Sequence, residues 1–164
     1  MKKHFLALCL FLIAGSSSVI AQTAVIKGQV PAGQNKEEIV AMVQKVILGA
    51  MAGDRALVDR YMAPNVELIF VGRKLGAADE IGKFNQTRYK WVKKQIDRWD
   101  VTYEGNEVIV SSLGSLYGEW LDGTPFKDNR YIDRFILVDG KITKMDVWND
   151  SAEILMKRAG LIKN

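Results

Sequence analysis

The chain is nearly without cysteine and histidine: Cys9 and His4 are single occurrences, and both lie in its first ten residues. Those residues read as part of a leader. Lys2 and Lys3 form a positive start, Phe5 to Ala14 is an apolar run, and Gly15 to Ala21 is small and weakly polar, with Val19 and Ala21 before a cut. The run falls short of the ~20 apolar residues that span a bilayer, so it is expected to be cleaved and not to anchor the chain. Cleavage after Ala21 leaves a chain beginning at Gln22, with neither thiol nor imidazole. A disulfide, a thiolate nucleophile, a histidine base and a His/Cys zinc site are then all excluded. No metal or cofactor is called for, and acid–base work falls to Asp, Glu, Tyr and Lys.

Net charge is small too. The formal net charge of +4 includes Lys2 and Lys3, so their loss lowers it to +2, and both signs are interspersed along the chain. No basic run tracks nucleic acid or anionic lipid, so neither nucleic acid nor, after cleavage, a membrane is an expected partner. The expected location is outside the cytoplasm, periplasmic or secreted. The remaining length fits one domain.

Three segments are expected: a signal peptide over 1–21, a linker or arm over 22–34, where Gly28, Pro31 and Gly33 interrupt any period, and a folded domain over 35–164. Asn35 is a good N-cap, followed by Glu37 and Glu38 at the positive end of a first helix. Ile39, Val43, Val46, Ile47 and Ala50 give that helix one apolar stripe, and Gly53 stops it. Asp54 opens a second short helix ending at Pro64, and Val66, Leu68 and Phe70 lie on a strand. Ile81, Phe84, Trp91 and Val92 predict a third helix from about Ala77 to Lys94, with Lys83, Arg88, Lys90, Lys93 and Lys94 as its solvated surface.

Past Gln95 the period becomes two. Gly105-Asn106, Asp122-Gly123 and Asp139-Gly140 punctuate strands around Trp99–Tyr103, Glu107–Glu119, Phe126–Val138 and Lys141–Trp148. Asp-Gly between alternating runs is a strong hairpin signal, because both central residues of a type I′ turn need positive φ. Asp150 and Glu153 open a last helix that Gly160 ends. The fold class is therefore α+β: three N-terminal helices on a mostly antiparallel sheet, closed by a short C-terminal helix.

Arg130-Tyr131-Ile132-Asp133-Arg134-Phe135, then Asp139-Gly140-Lys141-Ile142, Asp146-Val147-Trp148 and Arg158-Ala159-Gly160-Leu161, resemble the C-terminal half of SnoaL-like and ketosteroid-isomerase-like domains. Ala52-Gly53-Asp54 and Tyr61-Met62-Ala63-Pro64-Asn65-Val66 are similar to the N-terminal half. The resemblance spans about Asn35 to Leu161 and implies the cone of the nuclear transport factor 2-like superfamily. It specifies the fold and leaves activity open, since such domains include isomerases, cyclases, dehydratases, epoxide hydrolases and non-enzymes. It also implies that the aspartate matching Asp133 stays protonated and donates to an oxyanion. Val46 stands where ketosteroid isomerases carry the oxyanion tyrosine, and Leu68 or Ile69 where they carry the base aspartate, so steroid isomerisation is not expected.

Counting outward from Asp139-Gly140 as a two-residue turn sets Asp133 opposite Asp146, Tyr131 opposite Trp148, Phe135 opposite Lys144 and Leu137 opposite Ile142. The other turns set Ser112 beside Asp133 and Trp99 beside Ser112. All would share one sheet face. Facing carboxylates cannot both ionise cheaply, so Asp133 and Asp146 are the candidate catalytic pair, one neutral and one ionised, unless a cation such as Lys144 lies between them. Tyr131, Ser112, Trp99, Phe135, Trp148 and Lys144 are candidate ligand-binding residues. The expected function is binding, with possible acid–base conversion of isomerase, cyclase or dehydratase type, of a small apolar molecule. The rival is a non-catalytic interaction domain that sets the outer sheet face of Ile109, Leu113, Ile132, Ile136, Met145 and Val147 against a partner, and the apolar character of that face leads in either case to an expected homodimer.

Overall fold

The computed structural model describes residues 24–27 and 35–163, so the expected leader lies outside the described residues. In chain order the elements are β1 (Ala24–Lys27), α1 (Lys36–Ala52), α2 (Arg55–Tyr61), β2 (Met62–Phe70), β3 (Arg73–Leu75), α3 (Glu80–Gln86), β4 (Tyr89–Glu104), β5 (Glu107–Trp120), β6 (Pro125–Val138), β7 (Lys141–Asn149) and α4 (Ser151–Arg158). The strands form one sheet in the order β1-β4-β5-β6-β7-β2-β3. Consecutive long strands pair antiparallel, while β1 runs parallel to β4 and β2 parallel to β7. Helices α1 to α3 lie on one face of this sheet, which is its inner face.

Local chemistry explains the helix ends. The Asn35 side chain accepts from the Glu37 and Glu38 amides at 2.9 and 3.4 Å, and Asp54 accepts from Leu57 at 3.0 Å. Gly53 closes α1 at φ 77°, a left-handed conformation that glycine adopts without a Cβ penalty. The stripe of α1 buries Val43, Val46 and Ile47 against Leu68, Phe70, Val101, Val110, Phe135 and Ile142 of the sheet. Each such side chain contributes ~1.5–3 kcal/mol on burial.

Three elements differ from expectation. Helix α3 ends at Gln86 and does not reach Lys94: Trp91, Val92 and Lys94 belong to β4. The wide apolar arc that suggested a longer helix was two short periods laid end to end. The strand β3 was not foreseen, and Ala24–Lys27 of the expected arm forms β1 at the sheet edge.

The sheet also carries bulges, each an extra residue in one strand of a pair. In β7 the register passes from Leu137↔Ile142 to Ile136↔Lys144, leaving Thr143 unpaired. The Thr143 hydroxyl donates to the Ile136 carbonyl at 3.2 Å and so holds the bulge. In β4 the register passes from Arg98↔Leu113 to Ile96↔Gly114, leaving Asp97 over. A third bulge, at Lys127-Asp128 of β6 with Asp128 at φ 58°, compensates a turn at Asp122-Gly123 that is one residue out of the simple count. Because those two departures cancel, Ser112 faces Asp133 as counted, and Trp99 faces Ser112 because the register runs unbroken from the Gly105-Asn106 turn.

Candidate functional site

Bulging at Thr143 decides which carboxylates meet. A single extra residue inverts the alternation of everything beyond it. Asp133 therefore pairs with Val147, and Asp146 with Arg134. The expected Asp133–Asp146 dyad does not exist: the two acids lie on opposite faces. Lys144 and Trp148 move with Asp146 to the outer face, where Trp148 is 44% exposed. There Asp146 sits 3.5 Å from Arg134 and 3.6 Å from Lys144, and Glu67 lies 3.2 Å from both Lys144 and Lys74. Those ammonium groups, Lys144 foremost, hold the Glu67 carboxyl below its ordinary range. Met145 and Val147, assigned above to the outer face, are buried in the core for the same reason.

The cation that meets Asp133 comes from β4. The Lys94 ammonium donates to Oδ2 of Asp133 and lies 4.0 Å from the centre of the Tyr131 ring. Asp133 is 0% exposed and the Lys94 side chain 14%. Lys94 was assigned above to a solvated helix surface; the Asp97 bulge turns it inward along with Val92 and Ile96. Between the two strands, Gly114 of β5 pairs with both Ile96 and Tyr131, and its lack of a side chain leaves room for the backbone of the Asp97 bulge, which a Cβ there would strike at Gln95. Ser112 donates to the Tyr131 hydroxyl at 3.4 Å, behind the pair.

Burial pushes the Asp133 carboxyl above its ordinary value, and the Lys94 ammonium opposes that rise. Burial also raises the Tyr131 hydroxyl. Oδ1 of Asp133 is buried and has no hydrogen-bond partner among the described residues. Such an orphan acceptor costs ~1–3 kcal/mol in a protein interior, so it marks a place where a partner is missing.

Lys94, Tyr131 and Asp133 line a cavity of about 50 Å³ between the sheet and helices α1 and α3. Its walls are mainly apolar, from Ile47, Met51, Phe70, Ile81, Phe84, Leu116, Met145 and Val147, with Asn85, Tyr89 and Asn149 adding polar atoms. Of the expected ligand-binding residues, only Tyr131 reaches this cavity. Trp99 and Phe135 are fully packed core, and Ser112 stands one layer behind. Lys94, Tyr89 and Asn149 were not foreseen. Lys94 follows Val92 and Ile96 inward only because of the Asp97 bulge, which has no signal of its own in the sequence.

No family model matches the chain, and no curated protein matches it in sequence. Solved structures do resemble it. A protein from Jannaschia sp. CCS1, provisionally described as a SnoaL-like polyketide cyclase, is 20% identical and superposes with a TM-score of 0.58 over 79% of this chain and 95% of its own. TerC, co-crystallised with polyporic acid, is 16% identical with a TM-score of 0.56 over 71% and 95%. An NTF2-like protein from Burkholderia thailandensis E264 is 18% identical with a TM-score of 0.56 over 73% and 96%. Likeness at these identities shows the fold alone: this chain has the architecture of these SnoaL-like and NTF2-like structures.

Proposed function

We propose that this chain is an exported small-molecule-binding protein, with its ligand held in the inner cavity against Asp133, Lys94 and Tyr131. The observation that carries the reading is the unpartnered Oδ1 of a wholly buried Asp133 at the wall of a mainly apolar cavity. Ligand sites have this composition: apolar walls with a few placed polar groups. That TerC was co-crystallised with polyporic acid supports ligand binding on this fold. The Lys94 ammonium bonded to the Asp133 carboxylate sets an N–H donor and a carboxylate oxygen side by side at the cavity, so conversion of isomerase, cyclase or dehydratase type would run through that pair. Export rests on the Lys2-Lys3 start and apolar run of residues 1–21. To test binding, small apolar compounds are titrated against the protein while the methyl resonances of Met145 and Val147 are followed. A panel that leaves both methyls unmoved at millimolar concentration overturns it.

A second reading, a non-catalytic homodimer, is favoured by the outer face, where Trp148 and its pairing neighbour Ile132 are 44% and 36% exposed. Sedimentation of the wild type and of Trp148→Glu distinguishes it: a wild-type monomer sinks this reading.

A further inference from the structure

Resting on the reading of the inner cavity as a ligand site, we propose that it selects a neutral molecule presenting one hydrogen-bond donor and one acceptor side by side. An amide, a lactam or a hydroxyketone has such an edge.

Two unused bonding positions carry the argument. Oδ1 of Asp133 is a free acceptor. Lys94 has three N–H donors: one goes to Oδ2 of the same carboxylate, the ammonium also lies over the Tyr131 ring, and no oxygen or nitrogen acceptor among the described residues takes another. Because Lys94 is bonded to one oxygen and the other oxygen is empty, a donor position and an acceptor position are adjacent. Both residues line the same cavity, so a single ligand edge can meet both.

Charge and size narrow the class further. Among the described residues, Lys94 and Asp133 are the only charged side chains lining the cavity, and they neutralise each other. An anion entering would leave water for a site whose one cation is already paired, and a cation would meet the mirror-image problem. A neutral edge satisfies both free positions without that cost. The volume of about 50 Å³ admits only a few heavy atoms, since one water takes ~10–15 Å³ on this measure. A larger ligand would therefore place only its polar edge at this point.

Four probes that share a five-heavy-atom frame separate the possibilities: propionamide, propionate, propionamidinium and 2-butanone. Each is titrated at pH 7 into the whole protein, with the Met145 and Val147 methyl resonances as the readout. Propionamide is expected to bind about tenfold more tightly than 2-butanone, which lacks the donor, and more tightly than either ion. In the double variant Lys94→Met/Asp133→Leu, whose cavity carries no charge, that preference should vanish. Propionate as the best ligand overturns the proposal, because Lys94 would then act as an unpaired cation. Equal binding of propionamide and 2-butanone overturns it as well. A series in which all four bind without selectivity leaves the cavity a ligand site and removes only this inference. If none of the four moves either methyl, the ligand-site reading fails with it.

Discussion

Removing Lys94 alone should be among the most damaging single changes available, and its cost should depend on pH. In Lys94→Met the long apolar stem is kept and only the ammonium is lost, so packing is nearly unchanged while Asp133, 0% exposed, loses its one bonding partner. A lone buried carboxylate takes up a proton to avoid remaining charged. At pH 7 that proton is bound about three pH units above the ordinary carboxyl value of ~3.9, at ~1.4 kcal/mol per unit, giving a loss of ~4 kcal/mol. This agrees with the ~3–5 kcal/mol typical of breaking a buried ion pair from one side. The sign follows from proton counting: in the variant the folded state binds one proton that the unfolded state has released, so stability falls as pH rises from ~4 toward the raised folded value. At pH 5 the loss should shrink to ~1.5 kcal/mol. Urea unfolding at pH 5 and 7 measures both values. Lys94→Met/Asp133→Leu, which removes both charges, should recover most of the loss. A variant that loses less than ~1 kcal/mol at pH 7, or that tracks the wild type in parallel across pH, would refute a buried Lys94–Asp133 pair.

Deleting Thr143 should prevent folding, since it removes the β7 bulge and would bring Asp146 to the inner face while expelling Met145 and Val147; the absence of a cooperative unfolding transition checks this. Gly114→Ala and Gly118→Ala should each destabilise by ~1–3 kcal/mol or more, because the new methyl would run into the backbone carbonyls of Gln95 and Trp91; thermal denaturation reports the size. Ser151→Ala should cost ~1–3 kcal/mol, as it orphans the buried Tyr89 hydroxyl, 2.5 Å away, and the Asn129 amide, 2.7 Å away; urea titration measures it. Intact mass of the exported product should start at or near Gln22, and a cytoplasmic product retaining Met1 would reject export.

What was legible in the sequence was whatever local chemistry determines. The caps at Asn35 and Asp54, the stop at Gly53 and the hairpin at Asp139-Gly140, with φ of 49° and 72°, all follow from single residues with strong backbone preferences. Asp133, Tyr131 and Ser112 were placed correctly on the inner face because two irregularities in the β5–β6 hairpin cancel. Asp146, Lys144 and Trp148 were misplaced because one extra residue at Thr143 has no sequence signal of its own: threonine suits a regular strand equally well. Lys94 was missed on two counts. Tyr89 to Lys94 is rich in lysine and apolar residues at spacings a helix also uses, and even simple alternation back from Trp99 would have turned Lys93 inward. Only the Asp97 bulge, opposite Gly114, makes Lys94 the inner residue.

The Thr143 bulge also changes how substitutions in β7 should be planned. Ile142 faces inward before it, and Met145 and Val147 face inward after it, so the strand joins two alternations of opposite phase. A combinatorial library patterned on one unbroken alternation from Ile142 would place polar residues at 145 and 147, emptying the core, and apolar ones at 144 and 146, where ion pairs now stand. The same holds when distant relatives are aligned: one gap on the wrong side of Thr143 exchanges core for surface over the rest of the strand, while leaving the hydropathy of each column superficially plausible.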